Sequence, residues 1–362
     1  MANREDLARI QGSPWQDSTL DLWKEVANRK KLYMNQLGID ISKTKFDACL
    51  LLDEKPIFRT FGNSYEGFNT LVTWLEEKGS LPVHICMEGT GKLWEPLAYF
   101  LHEHKFLVSV VNPARIKGFA QSDMRRSKTD KNDAKVIARF CRAQNPIAWV
   151  PPSAEIKTIR DMQRYCDALK RDRTREINRL QSGVMDILVQ RSIERHIDYL
   201  DQEINLIEDE ILELIASSKS LRKDFMLLTS IDGVAQNTAV TFLSELHTAK
   251  LFSSSRQLEI FCGITPRQFE SGSSIRLRSK ISKVGNSRIR SALYMPAMSA
   301  MRSNPVLREF ALRLKANGKP GRVVVVAVMR KLLRIMFAVL KSGKPFDVGF
   351  KSKPKEANTA VS

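Results

Sequence analysis

The chain has 362 residues, 43% hydrophobic and 27% charged, the balance of a soluble globular protein with material for two or three domains. A net charge of +18 is out of the ordinary and points to a polyanionic partner, nucleic acid first and an acidic membrane surface second. Five scattered cysteines (Cys49, Cys86, Cys141, Cys166, Cys262) without a CxxC pair argue against a structural zinc site or disulfide framework and fit a reducing cytoplasm.

Residues 1–33 form a polar lead-in with one predicted helix over 18–31 and no apolar core of the signal-peptide kind. From residue 37 the pattern changes. Residues 37–41 read as a short strand, 46–52 as its hairpin partner and 56–61 as a third strand. Residues 64–78 put Phe68, Leu71, Val72 and Leu75 on one helical face, with Gly79 as the stop. A β-rich run at 83–88 ends in Glu88; a helix over 93–104, a strand over 107–111 and a helix led by Asp130 follow. His102 and His104 read as surface residues at a helix end. Strands alternating with helices after an initial hairpin predict an α/β layer on a mixed sheet.

Residues 145–153, with Pro146, Pro151 and Pro152, read as a linker. Beyond it the chain is helical and charged. Ile193, Ile197, Leu200, Ile204, Ile207, Ile211 and Leu214 step by four and three, the seam of a coiled coil. An earlier seam (Ile159, Met162, Cys166, Leu169, then Leu180, Val184, Ile187) precedes a predicted break at 190–192. The two arms can pair with each other or with another subunit. Residues 227–246, with Gly233 in the turn, resemble a helix-hairpin-helix that aims backbone amides at a DNA phosphate; an ordinary turn between two helices is the competing reading.

The charge is unevenly spread. Between Pro266 and Lys344, 18 Lys or Arg stand against two acids, Glu270 and Glu309, and the rest of the chain is near neutral. The most apolar run, 323–340, is broken by Arg330, Lys331 and Arg334, so it reads as a basic helix with one buried face and not as a membrane span. The resulting division is a lead-in (1–33), an α/β domain (34–145), linker and coiled-coil helices (146–220), a mainly helical basic domain (221–347) and a tail (348–362).

Two groups of residues carry candidate chemistry. Asp40 and Glu88 close strands of one predicted sheet, at the edge where α/β sheets bind ligands. Asp130 and Asp133, three apart, share a helical face; Asp130 also sits where an N-cap belongs, and a capped helix start is the competing reading. Four carboxylates around one point repel unless a divalent cation relieves them, and oxygen-only ligation favours Mg2+ or Mn2+. Beside a basic domain, such a site implies metal-assisted phosphoryl transfer on nucleic acid. The second group is the turn at 269–274, flanked by Arg267, Arg276, Arg278, Lys280 and Lys283. Its hydroxyls, Ser271, Ser273 and Ser274, suit a phosphate; no histidine stands nearby in sequence as a base, so on the residues alone phosphate binding is the preferred role.

The blocks GIDISKTKFD (from Gly38), CMEGTG (Cys86), KTDKNDAK (Lys128), ITPRQFESGSSIR (Ile264), SKVGNSRIRSALYMPAM (Ser282) and KSGKPFD (Lys341) resemble the DEDD transposases, the recombinases of IS110-type insertion sequences and the related pilin-gene invertases. The resemblance implies an RNase H-like (RuvC-type) N-terminal domain, a coiled-coil middle and a C-terminal transposase domain. It implies Asp40, Glu88, Asp130 and Asp133 as metal-binding acids and Ser271 as a nucleophile, with Ser273 and Ser274 left as phosphate contacts. It further implies cut-and-rejoin recombination through a phosphoserine link, an oligomer whose site combines one subunit's acids with another's serine, and an element-encoded guide RNA alongside double-stranded DNA. The lead-in before Gly38 is longer than that family's usual start. A RuvC-like junction-resolving nuclease and a non-catalytic nucleic-acid scaffold are the alternative expectations.

Overall fold

Short runs of branched and aromatic residues separated by turns build one sheet near the beginning of the chain. The computed structural model describes residues 34–53, 55–122, 130–183, 186–267, 270–271, 275–276 and 280–349; the expected helix over 18–31 lies outside them. The described chain forms two compact units that divide between Pro151 and Pro152.

The first unit holds a five-stranded mixed sheet. Strands β1 (Asn35–Ile41), β2 (Lys45–Leu52) and β3 (Lys55–Gly62) form an antiparallel meander, while β4 (Val83–Glu88) and β5 (Leu107–Val111) run parallel to β1, giving the order β3-β2-β1-β4-β5. Helix α1 (Tyr65–Glu77) follows β3 and is capped by the Ser64 hydroxyl, which accepts from the Gly67 amide at 3.3 Å. Helix α2 (Glu95–Glu103) follows β4, α3 (Pro113–Ser122) follows β5, and α4 (Asp130–Gln144) completes the unit.

Period-two alternation sorts the strand residues onto two faces. Leu37, Ile39, Phe46, Ala48, Leu50, Ile85 and Met87 pack against Phe68, Leu71, Trp74, Leu97 and Leu101 of α1 and α2. On the other face Cys86 and Val111 meet Ile116 of α3 and Val136, Ile137, Phe140 and Cys141 of α4, and Cys49 and Leu51 meet Ala134 and Ala138. Helix α3 was not among the predicted elements. Residues 145–153, read as linker, have no regular structure, but part of the stretch packs on β5: the Ser109 hydroxyl bonds the Pro146 and Ile147 carbonyls, and the Trp149 amide bonds Val108 O at 2.7 Å.

The second unit opens with two long helices, α5 (Ala154–Gln181) and α6 (Ile187–Ser217). They fold back on each other. Ile159 packs with Ile211 and Ile215, and Cys166 and Leu169 with Leu200 and Ile204, so the two seams face one another within the chain. Lys170 to Glu208 (2.5 Å) and Arg173 to Asp201 add ion pairs across the pair of helices. The turn lies before Ile187 and not at 190–192 as expected: Asp186 caps α6 through the Leu188 and Val189 amides at 2.8 and 3.1 Å. Ile187, Leu188 and Val189 are exposed at this turn.

Helices α7 (Lys219–Thr229) and α8 (Gln236–Glu245), joined by a turn containing Gly233, pack with α9 (Ser255–Cys262), α10 (Ser287–Ala292), α11 (Tyr294–Ser303), α12 (Pro305–Ala316) and α13 (Gly321–Ser342). Leu228, Phe242, Leu258, Ile289, Leu307, Leu332 and Met336 form the centre of this core. Between α9 and α10 the helices give way to paired two-residue strands: β6 (Pro266–Arg267) with β9 (Lys280–Ile281), and β7 (Glu270–Ser271) with β8 (Ile275–Arg276). Among the described residues no helix is long and apolar enough to cross a membrane.

Candidate active site

The position of α4 follows from one glycine. Gly38 sits mid-strand in β1, and a Cβ there would overlap the backbone O of Ala134 and N of Ala138 and lie 2.8 Å from Ala138 Cα. Only glycine lets the helix lie this close on the strand. The helix runs against the direction of β1 and β4. Ala134, near its start, lies over Gly38, whereas Cys141 donates its Sγ–H to His84 O at 3.7 Å, two residues earlier in β4 than Cys86, the residue paired with Gly38. Its first turn, from Asp130 to Asp133, therefore extends toward the carboxyl ends of β1 and β4.

Asp40 and Glu88 stand at those ends. Asp40 is two residues beyond Gly38 and Glu88 two beyond Cys86, so both side chains share the α4 face, each roughly 7 Å along its strand from the Gly38–Cys86 pair. Asp133 is half-buried in the first turn of α4, and the helix's positive end stabilises acids there. Thr90 donates its hydroxyl to Glu88 Oε1 at 2.6 Å, which fixes that carboxylate. Among the described residues, no three of His, Cys, Asp and Glu come close enough to share one ion. The donor set is nevertheless all oxygen, as a hard divalent cation requires.

One acid on this face escaped the sequence reading. Asp47 of β2 is the cross-strand partner of Asp40, so its side chain lies on the same face. It is 5% exposed, accepts from the Thr60 hydroxyl at 2.5 Å and pairs with Lys45 at 3.3 Å. Its charge is already partnered. The β1–β2 register was the signal that would have found it.

Ser271 lies in β7 of the second unit, opposite Ile275, with three residues connecting the two strands. The ribbon's root is tightly held. Ser282 N bonds Thr265 O at 2.8 Å, Lys283 N bonds Gly263 O at 3.0 Å and Asn286 N bonds Phe261 O at 2.8 Å. At Gly285 (φ 147°) a Cβ would fall 2.7 Å from the Gly263 amide nitrogen, so this approach again demands glycine. Asn286 caps α10 and donates its amide to Glu245 Oε2 at 3.1 Å. Glu245 also accepts two bonds from Arg164 of α5, at 2.7 and 3.1 Å. Burial alone would raise the Glu245 pKa, but Arg164, Asn286 and Arg288 together hold it below the usual carboxylate value.

Arg267 and Lys280 are backbone register partners in the ribbon, as are Glu270 and Arg276. Lys283 is exposed just beyond β9, at φ 56°. Ser273, Ser274 and Arg278 lie outside the described residues. Not every cation of the basic stretch is available to a partner. Arg330 (2.8 Å) and Arg334 both pair with Glu259, which is 0% exposed; Arg290 donates to Cys262 O at 3.1 Å, and Arg288 lies 3.7 Å from Glu245. All five cysteines are buried, and burial pushes Cys49 up to about 11 and Cys262 up to about 12, which removes both from consideration as nucleophiles.

Residues 37–189, which carry the acid-bearing sheet and helix, match a family model described as a transposase, the DEDD type of IS110. Residues 226–312, which carry the ribbon, match a second described as the transposase IS116/IS110/IS902 family. The pilin gene-inverting proteins of Moraxella bovis and Moraxella lacunata are each 33% identical to the chain over 318 residues, covering 86% of this chain and 97% of the relative. The chain belongs to the IS110 family of transposases. The transposase for insertion sequence element IS1328 of Yersinia enterocolitica is 25% identical, with 66% of this chain and 78% of that one aligned. This transposase is therefore an enzyme of DNA recombination.

Proposed function

We propose that this transposase cuts and rejoins DNA by using Ser271 as nucleophile, with Asp40, Glu88, Asp130 and Asp133 as the acid set of the reaction. The observation that carries the reading is the seating of α4 on Gly38, which directs the Asp130–Asp133 turn to the strand ends bearing Asp40 and Glu88. The strand order β3-β2-β1-β4-β5 supports an RNase H-like, RuvC-type domain. The facing seams of α5 and α6 support a coiled-coil arm.

The four acids would hold a divalent cation, Mg2+ or Mn2+. When bound, such an ion neutralises charge on the attacking and leaving oxygens of a phosphoryl transfer. Ser271 Oγ forms a bond to the scissile phosphorus as the bond to one sugar oxygen breaks; the serine proton leaves to solvent or a base, and the sugar departs as a free hydroxyl. A sugar hydroxyl then attacks the phosphoserine and releases Ser271, so the DNA is rejoined without hydrolysis. Arg267, Arg276, Arg278, Lys280 and Lys283, with Ser273 and Ser274, would grip the backbone near that phosphorus. Arg267 and Lys280 hold paired register positions in the ribbon, and cationic residue types there suit a polyanionic partner. The basic excess also suits an RNA encoded by the element as guide. We place the acids of one subunit with the serine of another in a homo-oligomer.

The test incubates the protein with magnesium, DNA carrying the element's own ends and the element's non-coding RNA, then reads a denaturing gel. A protein–DNA adduct that needs magnesium and vanishes in Ser271→Ala, while DNA binding persists, is expected. Cleaved DNA without adduct would replace this reading with a junction-resolving nuclease in which water attacks. Activity unchanged in Asp40→Ala would remove the acids from the chemistry.

A further inference from the structure

On the α1 and α2 side of the sheet, at the same strand-end edge that bears the acids on the α4 side, the first unit carries an open groove of about 510 Å3 that the proposed chemistry does not use. Its lining includes Asn63, Tyr65, Phe68, Lys92, Leu93 and Glu103. We propose that this groove receives an unstacked base of the DNA strand next to the scissile phosphate, with Tyr65 as the stacking platform.

Three features carry the inference, which rests on the assignment of Asp40 and Glu88 to the reaction. The first is continuity. Asn63 donates its amide to Ser42 O at 3.0 Å, two residues past Asp40, and lies 3.5 Å from Leu93 O in the loop that leaves Glu88. Lys92 is four residues beyond Glu88, a reach of at most about 14 Å, or about four nucleotide steps at 3.4 Å each.

The second feature is the exposed aromatic. Tyr65 opens α1 and is 69% exposed, more than any other aromatic ring among the described residues. It is held edge-to-face against Phe100, with ring centroids 5.3 Å apart and planes at 85°. The ring is thus fixed at one side and open at the other, and every base offers a π-face to such a ring.

The third is the polar complement. Lys92 is exposed on the rim and suits the phosphate of the stacked nucleotide. Glu103 supplies an acceptor within the lining, and bases offer exocyclic amino donors. A partner protein segment would use the apolar lining but would have no use for its opening at the strand-end edge that bears the acids.

The test places 2-aminopurine singly at each of the four positions on either side of the cut in an oligonucleotide of the element's end. Full-length protein is used in a Ser271→Ala background with magnesium, so that the strand remains intact. Quenching at one position is expected, with Tyr65→Phe retaining it. Tyr65→Ala should abolish it and weaken binding on the order of 10-fold, the loss of one base–aromatic stack. Quenching at no position, or Tyr65→Ala matching its parent in quenching and affinity, would overturn the proposal. The two readings fail separately. Adduct formation without position-specific quenching removes the groove alone. Quenching that depends on Tyr65, in a protein that never forms an adduct, removes the serine chemistry alone.

Discussion

Replacing Gly38 by alanine tests whether the seating of α4 controls the acid site. The added methyl would lie 2.8 Å from Ala138 Cα and still nearer the Ala134 O and Ala138 N. Carbon–carbon contact is comfortable only at about 3.5–4.0 Å, so helix or strand must yield by roughly 1 Å. Backbone atoms make up all three contacts, so no side-chain rotation can relieve them. Overpacking of this kind costs about 1–3 kcal/mol. For a domain of this size that is a fall in melting temperature of roughly 3–12 °C. A 1 Å displacement of the Asp130–Asp133 turn relative to Asp40 and Glu88 should lower the adduct-forming rate about 100-fold. The assay pairs scanning calorimetry with adduct formation well below the melting transition, where the variant is still folded. A variant with wild-type melting and a rate within threefold of wild type would refute the argument that this contact sets the acid geometry.

Glu259→Ala removes the shared partner of Arg330 and Arg334, and it should destabilise the second unit by about 3 kcal/mol, read as an earlier denaturant midpoint. Glu259 and Glu245 both titrate below the usual carboxylate value in the folded chain, so their contribution is full above about 4.5 and is lost as pH falls through the lowered values. Glu245→Gln should therefore flatten the acid limb of the stability curve; an unchanged limb would show that Arg164 is satisfied elsewhere. His84 is buried against Ser109, at 2.8 Å, and burial lowers its pKa to about 4. The unfolded chain takes up that proton near 6.5 and the folded chain does not, so stability should be flat above 6.5 and fall as pH drops toward 4, by ~3 kcal/mol at 1.36 kcal/mol per unit. His84→Gln should remove that slope, and a slope that persists would assign it to another group.

The strands were legible because they are short runs rich in β-favouring apolar residues, buried on both faces in β2 and β4, with marked ends. Residues 83–88 and 107–111 form strands with the expected bounds, and Ser64 and Gly79 bracket α1 as capping chemistry predicts. What failed had a physical cause. Helix α3 follows β5 with Gly118 inside it and only a short apolar face, Ile116 and Phe119 against Phe140, so its periodicity is weak. The turn before Ile187 was hidden because Leu180, Val184 and Ile187 continue the heptad spacing across it, and the decisive signal was the cap at Asp186. Two-residue strands such as β6 to β9 carry no period at all; their pairing comes from the chain folding back on itself. The acids were legible singly, as strand ends and a helix start. That Asp40, Asp47 and Glu88 share a face needed the register, and that α4 points its first turn at them needed its packing on Gly38.

The acids and Ser271 belong to different compact units, and the proposed reaction needs both at one phosphorus. Whether a subunit completes its own site or its partner's can be decided by mixing two inactive variants. Asp40→Ala chains have the serine without a complete acid set, and Ser271→Ala chains have the reverse. Suppose a symmetric dimer builds two sites, each from one chain's acids and the other chain's serine. Random assembly of an equal mixture makes half of the dimers mixed. In each mixed dimer one site is intact and the other lacks both groups. The mixture should then recover about a quarter of wild-type adduct, carried only by the Asp40→Ala chain, which a size tag on either variant makes visible. If each chain completes its own site, the mixture yields no adduct at any ratio. Adduct on the Ser271→Ala chain would mean that a different residue attacks, and the nucleophile would have to be sought outside the ribbon.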